Sequence, residues 1–167
     1  MSQPPIRVLF VSQRNSLRSL LAQACLNHLG AGRFLAFSCG SAVAPGQQLH
    51  PLAATALAAA GISADKLSSK GWNHYARGEG RRMQFVITLS DDLLSRSGPM
   101  WPGQPDTAQW SYPDLLDPAR VQGVTPQEVQ QTLYSLRRRI ELLVSLPMRN
   151  ADAGDLRNDL RDLAYAG

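Results

Sequence analysis

The stretch that most restricts the fold is residues 6–11, Ile-Arg-Val-Leu-Phe-Val, a nearly continuous apolar run. A strand of that pattern carries hydrophobic side chains on both faces and belongs in the centre of a parallel sheet covered on both sides. A short polar loop follows, and then Leu17, Leu20, Leu21, Ala24 and Leu29 recur at three- and four-residue spacing up to Gly30, a residue that suits a helix C′ position. The chain therefore opens as strand, loop, helix.

The alternation continues. Residues 33–39 read as a second strand, 40–46 as a loop of small residues and proline, and 51–60 as an alanine-rich helix begun by Pro51 and closed by Gly61. Residues 66–82 are basic and glycine-punctuated, which predicts a short helix between loops; 84–89 form a third buried strand. One or two helical turns are expected over 91–96, an irregular crossing over 98–103, and a short last strand over 107–110. Thr125, Pro126 and Glu128 set up a capping box for a helix running to about Leu146. Its apolar face is Val129, Leu133, Leu136, Ile140, Leu143 and Val144, with Arg137, Arg138 and Arg139 expected on or beside the solvent face. Leu156, Leu160 and Leu163 predict an amphipathic C-terminal helix that docks on the body or on a second copy of the chain. The expectation is an α/β fold, three-layer α/β/α with a four-stranded parallel sheet, in one domain over 1–149 with a helical tail over 150–167.

Composition narrows the function classes. With 44% hydrophobic and 18% charged residues, the chain has the balance of a globular domain. Lys and Arg total 17 against 13 Asp and Glu, an excess that suits small anions but is too small and scattered for a nucleic-acid partner. No apolar run approaches the ~20 residues of a membrane span, and no signal-like segment opens the sequence, so no membrane partner and a cytoplasmic location are expected. Cys25 and Cys39 have no metal-ligand spacing, and His28, His50 and His74 are isolated, so no metal and no cofactor is expected; both cysteines read as buried free thiols.

The chemistry belongs at the carboxyl end of the first strand, where ligands of parallel α/β sheets bind. There Ser12-Gln13-Arg14-Asn15-Ser16-Leu17-Arg18-Ser19 runs straight into a helix N-terminus. Orphan backbone N–H groups, the helix dipole and a guanidinium, for which Arg18 is the candidate, can together hold a phosphate-sized anion.

The order Val8 to Ser19 resembles the phosphate-binding loop of low-molecular-weight protein tyrosine phosphatases and of the thioredoxin-coupled arsenate reductases that share their fold. Those families carry Cys-x5-Arg-Ser with Asn-Ser inside the loop, and Asn15, Ser16, Arg18 and Ser19 match in register. The resemblance continues through Phe37 to Ser41, His50 to Ala53, Ser69-Lys70, Val86 to Asp92, Trp101 to Gly103, and Trp110 on to Asp117-Pro118-Ala119. It implies the phosphatase-loop fold and an anion site formed by Gln13, Arg14, Asn15, Ser16, Leu17, Arg18 and Ser19. It also implies a general acid, with Asp117 before Pro118 the best match and Asp114 the second; Asp117 reads equally well as a turn initiator.

Two departures oppose the family's chemistry. Ser12 stands where the family has its nucleophilic cysteine, and Arg14 stands where it has a small glycine. A thiolate can be stabilised by N–H donors and one Arg, whereas a hydroxyl needs an adjacent base. The segment in which the reductases keep further cysteines, residues 90–99, contains none, which argues against arsenate reduction. The expected function is binding of phosphate, sulfate or a phosphorylated protein or small molecule without efficient turnover. The alternatives are a phosphomonoesterase using Ser12 or water with Asp117, and an interaction module whose loop is plugged by Arg14.

Overall fold

In the computed structural model, which describes residues 4–76, 82–90, 101–146 and 161–163, the apolar opening run is the second strand of a four-stranded sheet. The strands are β1 (Ile6–Ser12), β2 (Phe34–Gly40), β3 (Phe85–Thr88) and β4 (Asp106–Gln109), in the order β2-β1-β3-β4, and every pair is parallel. Val8, Leu9, Phe10 and Val11 are all at most 3% exposed. Burial of successive residues on opposite faces requires cover on both sides of the sheet.

One face carries the large core. Helix α1 (Arg18–Leu29) lies on β1 and β2, and α2 (Pro51–Ala59) and α4 (Pro126–Ser145) pack against it and each other. Val8, Phe10 and Ile87 meet Leu21, Leu26, Leu57, Leu136 and Ile140 there, with fully buried Trp110 tilted against Phe10 at 6.1 Å. On the opposite face Leu9, Val11, Phe37 and Val86 pack under Tyr75 of the short helix α3 (Asn73–Ala76) and under Met83.

Helix α4 begins with the expected capping box: Thr125 Oγ1 accepts from the Glu128 N–H at 3.2 Å, and the Glu128 carboxylate accepts from the Thr125 N–H at 3.0 Å. The arginine run on this helix departs from expectation. Arg138 is exposed, but Arg139 is 8% exposed and lies over the Tyr112 ring at 4.8 Å. Position 139 is three residues beyond Leu136 and one before Ile140, so helical spacing turns it to the buried stripe.

Gly30 also has a different role from the one expected. Its φ is −105°, not left-handed, and a Cβ there would lie 2.9 Å from Phe34 Cδ2 and 3.0 Å from the Leu26 carbonyl oxygen. Close approach of helix to strand, rather than turn geometry, selects glycine. The helical turns expected over 91–96 lie outside the described residues, as does the tail except for residues 161–163, where Leu163 is buried with the main core. No described helix is long and apolar enough to cross a membrane.

Candidate functional site

Strand β1 ends at Ser12, and the chain makes one tight loop before α1 starts at Arg18. The first turn of α1 has no side-chain cap and no acidic residue, so the positive end of its dipole faces the loop. Two neighbouring segments hold the loop backbone. Ser41 and Ala42 N–H groups donate to the carbonyls of Ser12 and Gln13 at 3.0 and 2.8 Å, and the His50 N–H donates to the Ser16 carbonyl at 2.8 Å. Gly40 permits the first contact, since a Cβ there would sit 2.7 Å from the Gln13 carbonyl oxygen.

Asn15 is the centre of this arrangement. It adopts a left-handed conformation, φ +51°, which Asn tolerates better than most residues. Its Oδ1 accepts from the Lys70 N–H at 2.7 Å, and its Nδ2 donates to Ser19 Oγ at 2.8 Å and Ser38 Oγ at 2.9 Å. Its own carbonyl accepts from Ser69 Oγ at 2.6 Å, while Ser38 Oγ donates to Gln23 Oε1 at 2.5 Å. Sequence reasoning found Asn15 but assigned no part to Gln23, Ser38, Ser69 or Lys70. The signal was present, since a buried amide must find partners, but those partners come from three separate segments.

Ser12 is 2% exposed. Its Oγ lies 2.6 Å from Ser19 Oγ and accepts from the Asn15 N–H at 3.3 Å. No carboxylate, imidazole or amine is among these partners. Arg18 is 5% exposed; its Nη1 donates to the Tyr112 carbonyl at 3.0 Å, and its Nη2 lies 3.8 Å from Asp114 Oδ1. Arg14 Nη1 donates to Asp114 Oδ2 at 2.5 Å, bridging the loop to a residue one hundred positions away.

These groups surround a cavity of about 10 Å³, lined by Ser12, Ser16, Arg18 and the Arg14–Asp114 pair among others. Of the expected anion-binding set, Arg14, Asn15, Ser16, Leu17 and Arg18 line it. Gln13 and Ser19 do not: Gln13 turns its carbonyl to Ala42, and Ser19 supports Ser12 from behind. Ser16 Oγ is fully buried at the cavity and has no hydrogen-bond partner among the described residues.

The two candidate acids are placed differently. Asp117 does not line the cavity; it is exposed, and its Oδ1 accepts from the Ala119 N–H at 2.9 Å, closing a turn across Pro118. Asp114 occupies the site instead. Partial burial pushes its carboxyl up, but the hydrogen bond from Arg14, the Arg18 charge and the Leu116 N–H outweigh that and hold it below the usual carboxylate range. The cysteines stand apart from this chemistry. Both are buried and free, and burial pushes the Cys25 thiol up to about 12 and the Cys39 thiol higher still. Among the described residues no cluster of His, Cys, Asp and Glu could hold a metal ion.

A sequence model of the low molecular weight phosphotyrosine protein phosphatases matches residues 7–106. No curated protein matches the chain. Solved structures do. An arsenate reductase in the phosphate-binding state superposes with a TM-score of 0.63 at 23% identity, over 84% of this chain and 97% of that one. An arsenate reductase from Archaeoglobus fulgidus gives 0.63 at 20% identity, over 83% and 99%. The cysteine-to-serine mutant of YwlE arginine phosphatase, with its active-site serine phosphorylated, gives 0.63 at 19%, over 83% and 93%.

Proposed function

Because the chain belongs to the low molecular weight phosphotyrosine protein phosphatase family, we propose that it binds phosphate or a phosphorylated ligand over residues 12–18 without efficient turnover. The observation that carries this reading is the setting of Ser12: among the described residues its Oγ meets only the Ser19 hydroxyl and the Asn15 N–H. A hydroxyl so placed has no group to take its proton, and N–H donors with one guanidinium do not ionise it near neutral pH. Asp114, held ionised by Arg14 and Arg18, is in the wrong state to protonate a leaving oxygen.

What remains suits a dianion. The uncapped N-terminus of α1, the buried Arg18 and the unpartnered Ser16 hydroxyl supply donors and positive potential. A neutral serine in place of a thiolate also removes a negative charge from beside the ligand. If Ser19 donates to Ser12, the Ser12 proton is left to donate to a ligand oxygen.

Calorimetry with inorganic phosphate and phosphotyrosine, paired with an aryl phosphate turnover assay, tests the proposal. Binding that is lost in Arg18→Ala, with no turnover above buffer, is expected; absence of heat with either ligand refutes it. One observation favours a second reading, phosphoryl transfer to Ser12: the mutant YwlE arginine phosphatase carries phosphate on its active-site serine. Turnover that disappears in Ser12→Ala would establish that reading, and a phosphoryl group retained on Ser12 in mass spectra would show transfer without release.

A further inference from the structure

The cavity as it stands holds about one water, not a phosphate: its 10 Å³ is near the minimum for a single solvent molecule. Part of its lining is a carboxylate. Asp114 Oδ2 takes the Arg14 guanidinium, and Oδ1 faces Arg18 Nη2 at 3.8 Å while accepting from the Leu116 N–H at 3.1 Å. Both positive side chains at the site thus already have an anion, and it comes from the chain itself.

We propose that Asp114 is an internal ligand of this anion cradle, which keeps the cradle closed to monoanions and yields it to dianions such as phosphomonoesters. The inference rests on the anion-binding reading above and adds the class of ligand it admits. Opening exchanges one protein carboxylate for one incoming anion at Arg14 and Arg18. A monoanion replaces a single charge with a single charge and gains little, whereas a dianion brings a second charge to the same two guanidinium groups and to the helix N-terminus. The Arg14 and Asp114 side chains are only 23% and 22% exposed, so the pair is screened less than a surface ion pair, yet it is open enough to be displaced.

The closed state lowers apparent affinity by the fraction of molecules in which the pair is open. Removing the charge of Asp114 removes that competition. Asp114→Asn is the suitable variant because its Oδ1 still accepts from the Leu116 N–H.

The test is calorimetry at pH 8 with inorganic phosphate, a dianion there, and dimethyl phosphate, a monoanion, on folded proteins verified by thermal melting. Wild type is expected to bind phosphate and not dimethyl phosphate. Asp114→Asn is expected to bind phosphate about tenfold tighter and to acquire dimethyl phosphate binding, on the scale of a partly buried ion pair removed as competitor. Arg14→Ala should bind phosphate more weakly than wild type, because it leaves Asp114 beside Arg18 with one guanidinium fewer. Two sides of one ion pair thus shift affinity in opposite directions, which a merely structural pair does not do.

Asp117→Asn, the same charge change on the exposed turn, should leave affinity within about twofold, separating local competition from overall charge. Equal or weaker phosphate binding by Asp114→Asn than by wild type overturns this inference and leaves the anion site standing. Failure of every variant to bind phosphate withdraws the anion site and this inference together.

Discussion

Asn15→Ala is expected to destabilise the protein by about 4 kcal/mol. The substitution deletes three hydrogen bonds, to the Lys70 N–H, Ser19 Oγ and Ser38 Oγ. At a net ~1 kcal/mol each they account for roughly 3 kcal/mol, with the buried hydroxyls left short of a donor. It also puts alanine at φ +51°, worth about another 1 kcal/mol of strain. Asn15→Gly loses the same bonds without that strain, so it should be milder by roughly 1 kcal/mol. Equilibrium urea unfolding with the slope checked for constancy measures both, and the Ala variant should melt about 10 °C lower at the 2–4 °C per kcal/mol typical of this size. Because the same amide sets the loop that lines the cavity, phosphate affinity should fall in both variants. An Asn15→Ala protein within about 1 kcal/mol of wild type, or a glycine variant no better than alanine, would refute the reasoning that this residue organises the loop.

Ser12→Cys should restore slight turnover of p-nitrophenyl phosphate, whose leaving group needs no acid, and adding Asp114→Asn should raise it at least about tenfold by freeing the cavity; an inert double variant would show that the defect lies beyond these two positions. Cys25 and Cys39 should resist iodoacetamide in the native protein at pH 8 and react fully in denaturant, since burial holds both thiols protonated. Prompt stoichiometric labelling of the native protein at that pH would contradict the burial of either.

The pattern of residues 6–11 was enough to place a central strand, because only burial on both faces makes such a run stable, and the capping residues at 125–128 marked the start of α4 because that signal is local. Arg14, Asn15, Ser16, Leu17 and Arg18, which line the cavity, were legible too, since the loop and the helix start are contiguous in the chain. Which of the two aspartates faces the cavity was not legible. Asp114 and Asp117 lie three residues apart on one irregular segment, and only the fold shows that the first reaches Arg14 while the second caps a turn. Arg139 was misjudged for a related reason, since a run of like charges conceals the helical stripe that buries its last member against Tyr112.

By itself the sequence determined the strand-loop-helix unit and the serine at the start of its loop, because both are written in consecutive residues. Tertiary structure alone decided what faces that cradle. The partners of Asn15 come from β2 and from the segment before α3, and the carboxylate between Arg14 and Arg18 arrives from beyond β4. Contacts between residues so far apart in the chain arise only when the sheet brings the ends of its strands together, and no local pattern encodes them.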